Sequence, residues 1–160
     1  MDLPVAQWVY DGDPVDIRPF GADYAQVTVD GDVALHLDRV GRVYDKYKRP
    51  IALLEPDGRL VGIDNELYGV VGAVNAAQPG KAHAWLSYAP NGAIIKHDEQ
   101  AGPVAVGGWV GCGATPFTQQ ACLLVSYVLY FQDEGERTGE RVPAGPSVGI
   151  GVGVGVGVGP

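Results

Sequence analysis

The clearest order in the chain is a two-residue alternation of apolar and polar positions. Ala25, Val27 and Val29 alternate with Gln26 and Thr28. After Asp30-Gly31 the pattern resumes, with Val33, Leu35 and Leu37 set against Ala34, His36 and Asp38. A period of two places the apolar members on one face of a strand. Asp-Gly accepts the positive φ of a tight turn. Residues Tyr24 to Asp38 therefore predict a β-hairpin. The same signal recurs where Ile51–Leu54 and Leu60–Ile63 flank Pro56-Asp57-Gly58, and where His83–Tyr88 and Ala93–Lys96 flank Pro90-Asn91-Gly92. Tyr68–Val74 reads as a further strand. Val104–Val110 reads as another, with Gly107-Gly108 marking a bulge or a close backbone approach. Short strands at this spacing predict an all-β domain, an antiparallel sandwich or small barrel, with a jelly roll among the options.

One segment fits two descriptions. Thr115-Pro116 suits a helix N-cap and first position, Gly135 suits a C-terminal stop, and Leu124, Tyr127, Val128 and Phe131 share a helical face. Yet Cys122–Phe131 is apolar almost all round and aromatic, as in a buried strand. The stretch 116–133 stands as either a strand or one helix.

After a β-rich unit over residues 1–134, residues 135–146 form a polar stretch with the character of a linker. The tail, 147–160, then alternates β-branched residues with glycine. As a strand it would put Val148, Ile150, Val152, Val154, Val156 and Val158 on one face and bare glycine on the other, over roughly 40 Å. It resembles the Gly-Val repeats of elastin-like and silk-like segments, a likeness of composition that assigns no family. Each glycine loses extra backbone entropy on ordering, so such a strand needs a partner to cover its valine row. The tail is read as an assembly element.

Composition adds to the β reading: 24 glycines and 12 prolines in 160 residues punctuate turns rather than extend helices. The net charge of -8 disfavours nucleic acid and anionic lipid as partners. The longest apolar run, Ala121–Phe131, is about half the roughly 20 residues that a membrane span needs. Met1-Asp2-Leu3-Pro4 lacks the basic and apolar regions of a signal peptide, which predicts cytoplasmic synthesis. Two cysteines, Cys112 and Cys122, do not make a disulfide scaffold, and spacing alone leaves their pairing open.

Candidate chemistry is sparse. His36, His83 and His97 form no His-x-His or His-x3-His pair, so no metal or other cofactor is expected. His97-Asp98-Glu99, within reach of His83 on a partner strand, reads as a solvated turn. Cys112 lies between two glycines without a nucleophile signature, and neither Ser87 nor Ser126 sits in an elbow motif. The glycine-rich Gly107–Gly113 stretch lacks the Gly-Lys-Ser/Thr of a phosphate loop. Most aspartates stand beside Gly or Pro, where turn formation accounts for them.

One charge feature is concentrated. Arg39, Arg42, Lys46, Lys48 and Arg49 are five of the 11 basic residues. Tyr44 and Tyr47 interleave with them. On an acidic chain such a cluster suits an electrostatic contact with a neighbouring copy or another structural subunit. The sequence thus predicts a non-enzymatic, homo-oligomeric structural protein, such as a virion decoration, fibre or tail component released by lysis. The alternative is a small-molecule- or carbohydrate-binding β-barrel, even an enzyme, with Trp85, Trp109, Tyr88 and the His97 stretch at its mouth.

Overall fold

The alternating stretches form strands that pair in sequence order. A computed structural model describes residues 1–8, 13–98 and 100–137. Its strands are β1 (Ala6–Trp8), β2 (Val15–Phe20), β3 (Tyr24–Val29), β4 (Asp32–Asp38), β5 (Arg42–Asp45), β6 (Pro50–Leu54), β7 (Arg59–Gly62), β8 (Leu67–Val71), β9 (Asn75–Ala77), β10 (Leu86–Tyr88), β11 (Ala93–Asp98) and β12 (Gly102–Val110), followed by the helix α1 (Pro116–Arg137). Each strand is antiparallel to the next, and β12 returns to β1, closing a barrel. The sheet is an up-and-down meander, so the sandwich and jelly-roll options do not apply.

Register shows why the alternation works. Ala6 pairs with Ile17, Ile17 with Val27, and Val27 with Leu35. One step along, Ala25, Leu37, Val43 and Ala52 form a second row. All of these side chains are buried and point into the barrel. Gly107 faces the Trp8 ring, with which a Cβ at this position would overlap. The pairing slips by one residue across from it, between Ile94 and Ile95. The Gly107-Gly108 signal thus marks both a close approach, here by an indole, and a bulge.

The ambiguous segment is a helix, not a strand. From Ala121 to Val128 every residue is at most 8% exposed. Eight successive residues exceed two turns, so every face of the helix is covered. A helix lying on a surface buries only a stripe. The closed sheet encloses this one, and its all-round apolar character is the signature of that enclosure. Small inward residues, Ala6, Ala25, Ala52 and Ala76, leave room for it. The helix continues through Gly135 to Arg137, so Gly135 is not its stop, and the 135–146 stretch begins as helix.

The direction of the helix follows from two hydrogen bonds to β8. Gln120 Nε2 donates to the Val71 carbonyl at 3.0 Å, and Tyr127 Oη donates to the Tyr68 carbonyl. The helix therefore runs antiparallel to β8. It enters at the end carrying the β8–β9 turn and points toward the end carrying the β1–β2, β3–β4 and β7–β8 connections. At its start the Thr115 hydroxyl accepts the Thr118 amide at 3.1 Å, while the Thr118 hydroxyl accepts the Thr115 amide at 3.0 Å. This reciprocal cap satisfies two end groups, with threonine where a capping box usually carries Glu or Gln. A Cys112–Cys122 disulfide, wholly buried, ties the β12–α1 connection to the second turn of the helix.

Candidate functional site

The helix fills the barrel, so the interior is core. Trp109 Nε1 donates to Ser126 Oγ at 2.8 Å, and Trp85 meets Tyr127 edge-on at 5.4 Å. Trp85, Trp109 and Tyr88 are buried in this packing rather than lining a mouth. Surface chemistry must be sought on the outer wall.

The basic cluster is placed by β4, β5 and the turn after β5. Outward positions form a cross-strand row, Arg18–Gln26–His36–Tyr44, with Phe20–Tyr24–Asp38 beside it. Asp38 is the pin of the β4–β5 turn. Its Oδ1 accepts the amides of Val40, Gly41 and Arg42 at 2.9 to 3.1 Å, and its Oδ2 accepts the Tyr44 hydroxyl at 2.8 Å. Burial pushes the Asp38 pKa up, but the hydrogen bonds from the Arg42 amide, Tyr44 and Val40, with the Arg42 charge, outweigh it and hold the carboxyl below its usual range. Tyr44 is shifted up, first by burial and then by its bond to Asp38.

Asp45 builds the next turn. Its Oδ1 accepts the amides of Tyr47 and Arg49, each at 2.9 Å, and its Oδ2 accepts Arg49 Nε at 2.8 Å. Lys48 adopts φ of 65°, a conformation rare for a residue with a side chain. The turn folds back over the wall, so that the Lys48 ammonium lies 3.7 Å from the Tyr24 ring centroid and 5.4 Å from that of Phe20. Tyr47 is 68% exposed and lies between Lys46 and Arg49, at 5.2 and 5.1 Å. Such cation–ring contacts contribute about 0.5–1 kcal/mol each when exposed.

His36 faces outward yet is only 2% exposed. The Phe20 ring is 5.1 Å away, and His36 Nδ1 lies 3.0 Å from the Asp45 carbonyl. A carbonyl only accepts, so Nδ1 carries the proton there. Nε2 faces the Gln26 side-chain nitrogen at 3.3 Å. His36 is thus a buried strut joining β3, β4 and the Asp45 turn.

The structure brings Arg42, Lys46, Lys48 and Arg49 to one wall. Arg39 is exposed in the β4–β5 turn at its edge. Arg42 pairs with Asp38 at 3.5 Å and Arg49 with Asp45 at 2.8 Å. Lys46 and Lys48 form no salt bridge among the described residues. Sequence reading missed Arg18, Phe20 and Tyr24, which reach the wall through register alone. It also missed that acidic residues gather around the β3–β4 turn. Asp30 N donates to the Pro14 carbonyl at 2.7 Å, which clamps the segment before β2 onto the β3–β4 turn. That brings together Asp13, Asp16, Asp30 and Asp32.

The remaining candidates resolve simply. His97 meets Ser87 rather than His83: Nε2 lies 2.8 Å from Ser87 Oγ, and that hydroxyl donates its one proton to Asn75 Oδ1 at 2.7 Å. This outward polar cluster on β9–β11 is solvent-exposed. Among the described residues no three His, Cys, Asp or Glu side chains converge as a metal set. In the Gly107–Gly113 stretch, Gly107 packs against Trp8 and Cys112 is disulfide-bonded. No helix among the described residues is long and apolar enough to cross a membrane. Glu99 and the tail residues Val148, Ile150, Val152, Val154, Val156 and Val158 lie outside the described residues. No protein-family model, curated protein or solved structure matches the chain.

Proposed function

We propose that the protein is a non-enzymatic structural subunit that associates with copies of itself. The observation that carries this reading is the Asp45-built turn, which holds Lys46, Tyr47, Lys48 and Arg49 in place before any partner arrives. A preorganised loop with an exposed tyrosine between cations has the composition of interface hot spots and loses little entropy on binding. Its natural complement is a carboxylate-rich surface, and this chain, at -8, supplies one. The filled barrel favours surface contacts over an enclosed ligand. The Gly-Val tail is the second assembly element of the proposal, with Val148, Ile150, Val152, Val154, Val156 and Val158 as its apolar row. A subunit of a particle, such as a virion decoration, fibre or tail protein, fits this reading.

Static light scattering over a wide concentration range tests it. The proposal expects an oligomer at low salt that dissociates on dilution. A monodisperse monomer at every concentration and salt would overturn it.

A further inference from the structure

The two ends of the barrel differ in apolar surface. Among the described residues, seven large apolar side chains are more than half exposed, and five of them, Val5, Val40, Val74, Val110 and Phe117, stand at the end where α1 enters. The other two, Tyr47 and Ile63, lie in turns that spring from the opposite end.

Four of the five are drawn together. Val5 and Gln7 flank the inward Ala6, and Gln7 pairs with Val110, so Val5 and Val110 are diagonal neighbours on the outer face. Thr115 Oγ1 donates to Asp2 Oδ2 at 3.3 Å, which brings the start of α1, with Phe117, to the N-terminal segment. The Met1 ammonium donates to the Arg39 carbonyl at 2.9 Å, which brings in the β4–β5 turn, with Val40. Met1 and Leu3 pack against the core between them. Apolar side chains exposed together mark a contact surface.

We propose that this end receives the Gly-Val tail of a second copy, so that copies join head to tail. The inference rests on the assembly reading and names the surface that the tail meets. The occupant follows from where the described chain ends. The helix carries it through the barrel, so the tail starts from the end opposite the exposed valines. Between Phe117 and Arg137 the helix rises about 30 Å. The ten residues 138–147 that precede Val148 span at most about 33–36 Å when fully stretched. To lay its valine row on its own entry end, the chain would have to draw this spacer taut up the outside of the wall. A second copy whose entry end faces the exit needs no such stretch. A head-to-tail contact joins two different surfaces, so it propagates into a ring or a fibre rather than stopping at a pair.

Mixing two full-length variants tests the proposal. One loses the receiving surface through Val40→Glu and Phe117→Glu; the other loses the valine row through Val152→Asp and Val154→Asp. Circular dichroism confirms that each is folded, and the neutral pair Val40→Ser and Phe117→Ser repeats the test without added charge. Each variant alone should self-associate at least about tenfold more weakly than the parent in sedimentation equilibrium, because a charge enters an apolar contact. Mixed one to one, they should form a heterodimer and nothing larger, since the intact tail of one meets the intact end of the other. If the parent assembles and either variant does so equally well, this contact is wrong and the assembly reading survives. If both variants are monomeric and their mixture stays monomeric, the tail does not bridge copies in this way and the proposal is overturned. If the parent itself is monomeric, both readings fall.

Discussion

The Trp109 indole N–H donates to the Ser126 hydroxyl at 2.8 Å, and this buried bond joins the barrel wall to the helix inside it. Ser126 Oγ donates onward to the Cys122 carbonyl at 2.9 Å, so a single hydroxyl serves both partners. Ser126→Ala should leave the indole N–H buried and unpaired, at a cost of about 1–3 kcal/mol. Trp109→Phe in the Ser126→Ala background should cost less than the sum of the two single changes. Urea unfolding of the four proteins checks this; strict additivity would mean that the bond does not couple wall and helix.

Asp38 makes stability depend on pH in one direction. Its carboxyl is held below the ordinary aspartate value of 3.8 in the folded state, so its contribution is fully present above that value. The contribution is lost as pH falls through the lower, folded-state pKa. Asp38→Asn should therefore destabilise by about 1–3 kcal/mol at pH 7, with the gap to the parent narrowing below about pH 4. A gap that is constant from pH 7 to pH 3 would show that the carboxylate charge is not what the turn uses.

The disulfide closes a loop with a sequence separation of 10, and both sulfurs are buried. Replacing Cys112 and Cys122 with alanine should cost about 2–3 kcal/mol, largely by loosening the unfolded chain, with the fold retained. Thermal unfolding reads the loss. An unchanged melting temperature would show that the cap of Thr115 and Thr118 alone fixes the helix start.

Gly107→Val should be among the most damaging single changes. A Cβ there overlaps the Trp8 ring, which itself packs edge-on against Trp109 at 5.2 Å. Trp8→Ala should partly rescue Gly107→Val in thermal melts. Rescue absent, the strain would lie in the backbone rather than at the indole.

Much of the barrel was legible in the sequence because its walls bury one face. Ala25, Val27, Leu35 and Leu37 declare their face through period two, and the turns at Asp30-Gly31, Asp57-Gly58 and Asn91-Gly92 declare the register. The helix was legible only as one of two alternatives: Thr115-Pro116 marked its start, but a segment buried on all sides has no polar face to reveal its period, and Leu123, Leu124 and Val125 are as apolar as the residues one turn away. β1 and β9 are three residues each, too short to show a period. Of the candidate surface, Arg42 to Arg49 stood out as a run of charge. Arg18, Phe20 and Tyr24 did not, because cross-strand pairing, not sequence proximity, sets them on this wall, the two rings beneath Lys48. The same holds for Ser87 and His97, which no local motif connects.

The proposed assembly uses the C-terminal tail as one of its contacts. Sedimentation velocity of the full chain beside a chain ending at residue 146 is the decisive comparison. The shortened protein should keep the β-sheet and helix signals of the barrel but sediment as a smaller species. Val154→Asp in the full chain should approach the same result, since a charge would enter the valine row. Identical sedimentation of the full and shortened chains would contradict the claim.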